Sequence, residues 1–339
     1  MTEGVRAAVA RPQVAVLSLG GTIAMTRRTD GGIAPSLDAG DLLDAVPVLA
    51  DLADLSATAF RAAPGAHLVL DDLVALSQEI RALLALGVDG VVVTQGTDTI
   101  EETAYALDLL LETDAPVVVT GAMRGPEALS ADGPANLEAA VRVASDAGAR
   151  GRGVVVVLNE EIHAARWVTK THTSRPDAFR SPECGPLGAV TEHRVQWFWQ
   201  PRRSGTVEAP VGALPAVPIV PTWLGDDGSL LRAALSLRPA GLVLDGLGAG
   251  HVPSALIPLL GDAARTLPVV LCSRVRYGST FQQTYGFPGG EIDLHGRGVL
   301  WSAGLPSPKA RIHLTLALAA GWSRSRLADS LAEAGAGTW

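Results

Sequence analysis

Short apolar runs built largely from β-branched residues recur along the first half of the chain, at 14–19, 90–93, 116–120 and 154–158. Runs this short and this uniformly apolar are what strands covered on both faces of a parallel sheet require. Between them the apolar spacing becomes helical, over 41–46, 71–86, 99–112 and 136–147. Such alternation predicts an α/β fold whose large domain carries a mostly parallel, doubly wound sheet. Strand after strand is followed by a small or polar group: Thr22, Thr94, Thr120, Asn159. Open α/β sheets bind ligands along that carboxyl edge.

The turn Thr94-Gln95-Gly96-Thr97-Asp98-Thr99 joins one such strand to a helix. Asp98 is placed like a helix N-cap, with Glu101 three residues on as in a capping box, and Glu101-Glu102 suit the positive end of the helix dipole. Capping would suffice for a lone Thr-Asp pair. Here Gly96 precedes the pair and Thr94 and Thr99 flank it, which favours a ligand site. Gly20-Gly21-Thr22 likewise sets a hydroxyl on a turn tight enough to need glycine. Residues 25–40, rich in Gly, Thr, Arg and Asp, read as a mobile loop or lid.

Residues 205–221 are rich in Pro, Gly and Ala without periodicity and read as a linker. It separates an N-terminal α/β catalytic domain, 1–204, from a smaller C-terminal α/β domain, 222–339. In the latter, 242–245 and 269–272 read as strands, and 254–260, 307–321 and 324–334 as helices. Gly246-Leu247-Gly248-Ala249-Gly250 lacks dinucleotide spacing and reads as a turn. Trp197-Phe198-Trp199 reads as packing at a domain or subunit interface.

A formal charge of −8 argues against a nucleic-acid partner. No apolar run reaches the length of a membrane span, and 1–12 lacks the apolar core of a signal peptide. Cys184 and Cys272 are the two cysteines; they read as buried and inert and fit a reducing cytoplasm. Seven histidines show no metal-ligand spacing. A hydroxyl nucleophile needs a base; a Ser-His-Asp arrangement would need a G-x-S-x-G elbow, which is absent, and the other option is threonine with lysine. Lys170 sits in Trp167-Val168-Thr169-Lys170-Thr171, among hydroxyls and apolar residues. Buried beside a carboxylate, it can serve in proton transfer.

Leu19-Gly20-Gly21-Thr22-Ile23-Ala24, Thr94 to Thr103, and Gly121-Ala122-Met123-Arg124 resemble stretches of the bacterial-type L-asparaginase family. So do Ser130-Ala131-Asp132-Gly133-Pro134, Val168-Thr169-Lys170-Thr171, Gly185-Pro186-Leu187-Gly188 and Lys309-Ala310-Arg311, in the family's order over nearly the whole chain. The resemblance implies hydrolysis of the side-chain amide of asparagine, sometimes glutamine, on a large and a small α/β domain. Thr22 falls on the acyl-accepting threonine. Thr97 and Lys170 fall on the second threonine and its lysine. Asp98 falls on the aspartate that grips the substrate's α-amino group, and Gln95 among the substrate-binding residues. Counting back from Lys309-Ala310-Arg311 places an acid supplied by a neighbouring subunit at Glu291, so a homo-oligomer, dimer or tetramer, is implied. No metal or organic cofactor is.

Physical expectations agree: two carboxylates suit an ammonium group, and backbone N–H groups after Gly21 and Gly96 are candidate oxyanion donors. Three departures stand out. The pair that holds the α-carboxylate falls on Gly65-Ala66, with His67 next, so Gly65→Ser is expected to tighten binding. The lid tyrosine falls on Gly32, and an asparagine of some relatives on His251. A non-catalytic or weakly active amino-acid-binding protein on the same scaffold is the alternative; a nicotinamide dehydrogenase lacks its fingerprint.

Overall fold

The computed structural model describes residues 11–21, 25–27, 33–35, 40, 43, 45–203 and 205–335. The first sheet draws on β1 (Gln13–Ser18), β4 (Asp54–Ala59), β5 (Gly90–Thr94), β6 (Val117–Thr120) and β7 (Val154–Leu158), and a hairpin of β2 (Met25–Arg27) and β3 (Ile33–Pro35) lies apart from it. It continues through β8 (Glu161–Ala164), β11 (Gly188–Thr191) and β12 (Arg194–Trp197), while β9 (Thr169–Lys170) and β10 (Phe179–Arg180) form a separate ladder. The eight strands run in the order β12-β11-β8-β7-β6-β5-β1-β4. From β4 to β7 every neighbour is parallel; β8, β11 and β12 extend the sheet in antiparallel fashion.

The valine runs follow from burial on both faces. Successive strand residues point to opposite sides. Val92, Val118 and Val155 join one core cluster with helix α4 (Gly133–Ala144), which follows α1 (Leu49–Leu52), α2 (Leu70–Ala85) and α3 (Ile100–Leu110). Val91, Val93, Val117 and Val119 pack on the other face with Leu76 and Ile80 of α2 and with Ile100, Ala104 and Leu107 of α3. No position of β5, β6 or β7 is left for a polar side chain until the carboxyl end.

The second sheet, β13 (Ile219–Pro221), β14 (Leu242–Gly246), β15 (Val269–Ser273) and β16 (Leu300–Trp301), is parallel throughout. Around it lie α5 (Ser229–Ser236), α6 (Ile257–Thr266), α7 (Glu291–Gly296), α8 (Ser307–Ala319) and α9 (Arg324–Gly335). Helix α8 joins the two halves: Ile312, Leu314 and Leu316 share a buried cluster with Tyr105, Ala106, Leu109 and Leu110 of α3 and with Val243 and Val270. The fold is the expected one, an α/β chain with a large sheet and a smaller second sheet.

Three local expectations change. Met25–Arg27 and Ile33–Pro35 pair antiparallel, a hairpin where the composition suggested a loop. Half of the helical pattern at 41–46 lies outside the described residues and stays as expected from the sequence. Trp197 packs within its own half, donating from Nε1 to Asp146 (3.0 Å) under the guanidinium of Arg152, because β12 lies over α4 at the sheet's edge. Cys272 is fully buried and desolvation lifts its thiol to about 12, whereas Cys184 is half-buried and lifted to about 11. Inert is therefore the right reading of both, and buried of one.

Candidate active site

Three loops meet at the carboxyl ends of β1 and β5. Their backbones touch, which is why glycine stands at each contact. A Cβ on Gly21 (φ +92) would lie 2.0 Å from the Gly96 nitrogen, and one on Gly96 2.9 Å from the Gly65 nitrogen. A Cβ on Gly65 would meet the Gly96 carbonyl at 2.9 Å. This last contact argues against the expectation for Gly65→Ser: a β-carbon there must push the Gly96 backbone aside before its hydroxyl can reach a ligand. Ala66 and His67 beside it are exposed.

Thr97 comes next on the turn and is nearly buried, with 7% of its surface exposed. Lys170 Nζ donates to Thr97 Oγ1 at 2.9 Å and lies 3.7 Å from Asp98 Oδ1. The lysine is 73 residues away along the chain, so only the fold brings the pair together. The Thr97 hydroxyl hydrogen is thereby left to point elsewhere, and its backbone N–H makes no hydrogen bond to any described residue. The Asp98 side chain is 61% exposed and faces out, as a group meant for a dissolved ligand must.

Asp98 is not the helix cap that its spacing suggested. Helix α3 starts at Ile100 with Thr99 at the N-cap position, and no side-chain cap is made. Thr99 Oγ1 instead donates to the Gly65 carbonyl at 3.0 Å, tying two of the glycine loops. Glu101, the expected capping-box partner, accepts the backbone N–H of Lys170 at 2.9 Å. Gln95 is fully buried; its Nε2 donates to the Gly96 carbonyl (3.2 Å) and to Thr99 Oγ1 (3.3 Å), bracing the turn from behind. Arg276, whose Nη1 donates to the Lys170 carbonyl at 3.3 Å, carried no signal in the sequence, and the signal Glu101 carried was that of a helix start. Asn136 and Asp132 hold the next loop: Asn136 Nδ2 donates to the Gly121 carbonyl (2.9 Å), and Asp132 accepts the N–H groups of Met123 and Arg124. A buried Asn with a neighbouring Asp at a helix start was the available clue.

Thr22 lies outside the described residues, as do Gly32 and the turn between β2 and β3. Glu291 is described. It opens α7, is fully buried, and accepts N–H groups from Thr284 (2.8 Å), Tyr285 (2.6 Å) and the His251 ring (3.2 Å). Burial raises its pKa, but the Tyr285 and Thr284 N–H groups and His251 outweigh that and leave it below the ordinary carboxylate range. Within one chain Glu291 makes no hydrogen bond or ion pair to Thr97, Asp98 or Lys170. Among the described residues no group of three His, Cys, Asp or Glu is arranged to hold a metal ion.

A strand-to-helix turn that presents a threonine and an open carboxylate to a lysine from a separate strand, on two α/β halves joined by a buried helix, has the form of a small-molecule hydrolase. The chain matches two family descriptions, "Asparaginase, N-terminal" over residues 13–203 and "Glutaminase/Asparaginase C-terminal domain" over 216–331. It is 36% identical to L-asparaginase of Bacillus licheniformis over 91% of this chain and 95% of that one. It is 35% identical to L-asparaginase 2 of Escherichia coli strain K12, over 92% and 90%. The crystal structure of a probable cytoplasmic L-asparaginase from Campylobacter jejuni superposes with a TM-score of 0.85 at 33% identity, covering 95% of this chain and 99% of the other. The chain belongs to the asparaginase family of amidohydrolases.

Proposed function

We propose that this enzyme hydrolyses the side-chain amide of L-asparagine to aspartate and ammonia through a threonine acyl-enzyme. The observation that carries the reading is the 2.9 Å contact of Lys170 Nζ on Thr97 Oγ1, with Asp98 Oδ1 3.7 Å from the same ammonium. A pure binding protein has no use for such a dyad, which disfavours the non-catalytic alternative. In this reading Thr22 attacks the amide carbon, ammonia leaves, and water then cleaves the ester. The Thr97–Lys170 pair relays a proton during those steps, and the Thr97 N–H, which bonds none of the described residues, is a donor for the developing oxyanion. Asp98 holds the substrate's ammonium group.

Glu291 serves a second subunit's site in the same reading. Support comes from its surroundings: Tyr285 and Phe287 pack edge-on against His251, which bonds the carboxylate, Phe281 stacks on Tyr285, and these three rings with Ile292 next to Glu291 are each 42–46% exposed. A patch of this kind on a monomer marks a surface to be covered. The reading includes a homo-oligomer, dimer or tetramer, in the cytoplasm, with 205–221 linking the two domains. The C. jejuni neighbour is titled cytoplasmic and a 35% identical Haemophilus influenzae relative periplasmic. No helix of the described residues is long and apolar enough to cross a membrane.

The test is ammonia release from L-asparagine and from L-glutamine by the purified wild-type enzyme. Release from asparagine in preference to glutamine is expected. A folded protein that binds asparagine and releases no ammonia would establish the binding-protein alternative.

A further inference from the structure

Lys309 is a buried cation that the reaction does not call on. It sits near the start of α8, with 1% of its surface exposed. Its three ammonium hydrogens are each used. Nζ donates to the carbonyls of Ala165 (2.7 Å), Arg166 (3.1 Å) and Val168 (2.6 Å). No carboxylate lies within ion-pair distance among the described residues. A buried ammonium paired only with neutral carbonyls is an expensive way to fill space, since an apolar side chain of similar length costs no desolvation. Packing therefore does not account for a lysine here.

All three carbonyls belong to the connection that ends in Lys170. Val168, fully buried, stands two residues before it. Strand β9 is only two residues long, paired to β10 through Thr169 and Lys170, too little ladder to fix a side chain alone. The remaining ties are the Glu101 carboxylate on the Lys170 N–H and Arg276 on the Lys170 carbonyl. The chain on the N-terminal side of Lys170 is also tied by the Ala165 N–H on the Val154 carbonyl (3.1 Å) and by the Arg166 guanidinium on the Ala334 and Ala303 carbonyls, but Lys309, reaching across from the second half of the molecule, gathers three carbonyls of this stretch on one ammonium.

We propose that Lys309 is a positioning residue for catalysis: by clamping the 165–168 turn it sets the place from which Lys170 Nζ reaches Thr97 Oγ1. This rests on the asparaginase reading above. Lys309 touches neither substrate nor the reacting atoms. Its removal lets the turn, and Lys170 with it, drift; a misplacement of about 1 Å can cost on the order of 10²-fold in rate.

The experiment compares Lys309→Met with Arg203→Met in asparagine hydrolysis, with folding checked by thermal melting. Arg203 serves as the control: its guanidinium likewise donates to backbone, the Leu111 and Thr113 carbonyls (2.8 Å each), away from Lys170, though it is partly exposed and lies 3.9 Å from Asp108. Lys309→Met is expected to lower kcat roughly ten- to hundredfold with KM unchanged within about twofold, because Asp98 is held by its own turn. Arg203→Met is expected to lose stability and keep kcat. Equal kcat losses in both, an unchanged kcat in Lys309→Met, or a rise in KM that accounts for the loss would overturn the proposal. Should Lys309→Met fail to fold, Lys309→Gln, which keeps donors for two carbonyls, is read in the same way. Failure of both to fold would make Lys309 a pillar of the domain contact only and overturn the proposal too. A wild-type enzyme releasing no ammonia is a different result: it removes the functional reading itself.

Discussion

Two lysines meet at strand β9 in opposite surroundings. Lys170 keeps 18% of its side chain exposed and faces a hydroxyl and a carboxylate. Lys309 keeps 1% and faces three carbonyls. Desolvation pulls Lys309 down to about 7, only partly opposed by Glu101, Asp108 and Glu102, with Arg166 adding to the depression. The first environment leaves a cation beside groups that can exchange protons with a ligand. The second spends every donor on backbone. On the proposed reading it is what each ammonium faces, and not its depth of burial, that divides the roles of the two lysines.

The largest expected effect breaks that comparison at its polar end. Thr97→Val and Lys170→Met should each lower kcat by on the order of 10³ or more while the thermal midpoint stays near wild type. Steady-state ammonia release with a melting curve checks this; near-normal turnover in a folded variant removes that residue from the mechanism. Next comes the subunit question. Mixing Glu291→Ala with Lys170→Met after subunit exchange should restore part of the activity at hybrid sites, and a confirmed hybrid without regain would put Glu291 outside the partner's site.

Gly65→Ser should act in a smaller way and against the first expectation. Its Cβ meets the Gly96 carbonyl at 2.9 Å, so the glycine contact must open. Overpacking of this kind costs about 1–3 kcal/mol. KM for asparagine should rise and stability fall; a lower KM would show that the loops yield and the hydroxyl finds the substrate.

The last prediction leaves turnover aside and concerns the pH dependence of stability. His313 is buried between Tyr105 OH and Ser330 Oγ (3.0 Å each), and burial with Arg166 nearby depresses its pKa from 6.5 to about 4. The unfolded chain then binds the proton first, so stability present above pH 6.5 is lost as pH falls toward 4. Lys309, depressed from 10.5 to about 7, gives the same sign higher up: stability rises with pH between those values. Denaturant melts of His313→Gln and Lys309→Met should show flatter profiles in the respective windows. Profiles parallel to wild type would mean that those groups titrate normally.

The parallel half of the large sheet was legible because burial on both faces forces unbroken runs of Val, and no other arrangement uses them so well. The antiparallel strands β8, β11 and β12 were not, since Glu161, Arg194 and Gln196 break the pattern on strands that lie at the sheet's edge. At the site, Thr97, Asp98 and Lys170 were legible as chemistry, while their supports were not. Glu101 looked like a cap because helix starts favour acids, but a backbone N–H 69 residues away claimed it. The Gly21–Gly65–Gly96 contact joins three loops that no local window spans. His251 stands 40 residues from the Glu291 it bonds.

Rapid acid quench of the wild-type enzyme during turnover of L-asparagine, followed by peptide mass spectrometry, tests the central claim most directly. The account predicts one aspartyl group on the peptide that carries Thr22, absent without substrate and absent in Thr22→Ala. Ammonia release with that peptide unmodified at every quench time, or with the aspartyl group on Thr97, would contradict it.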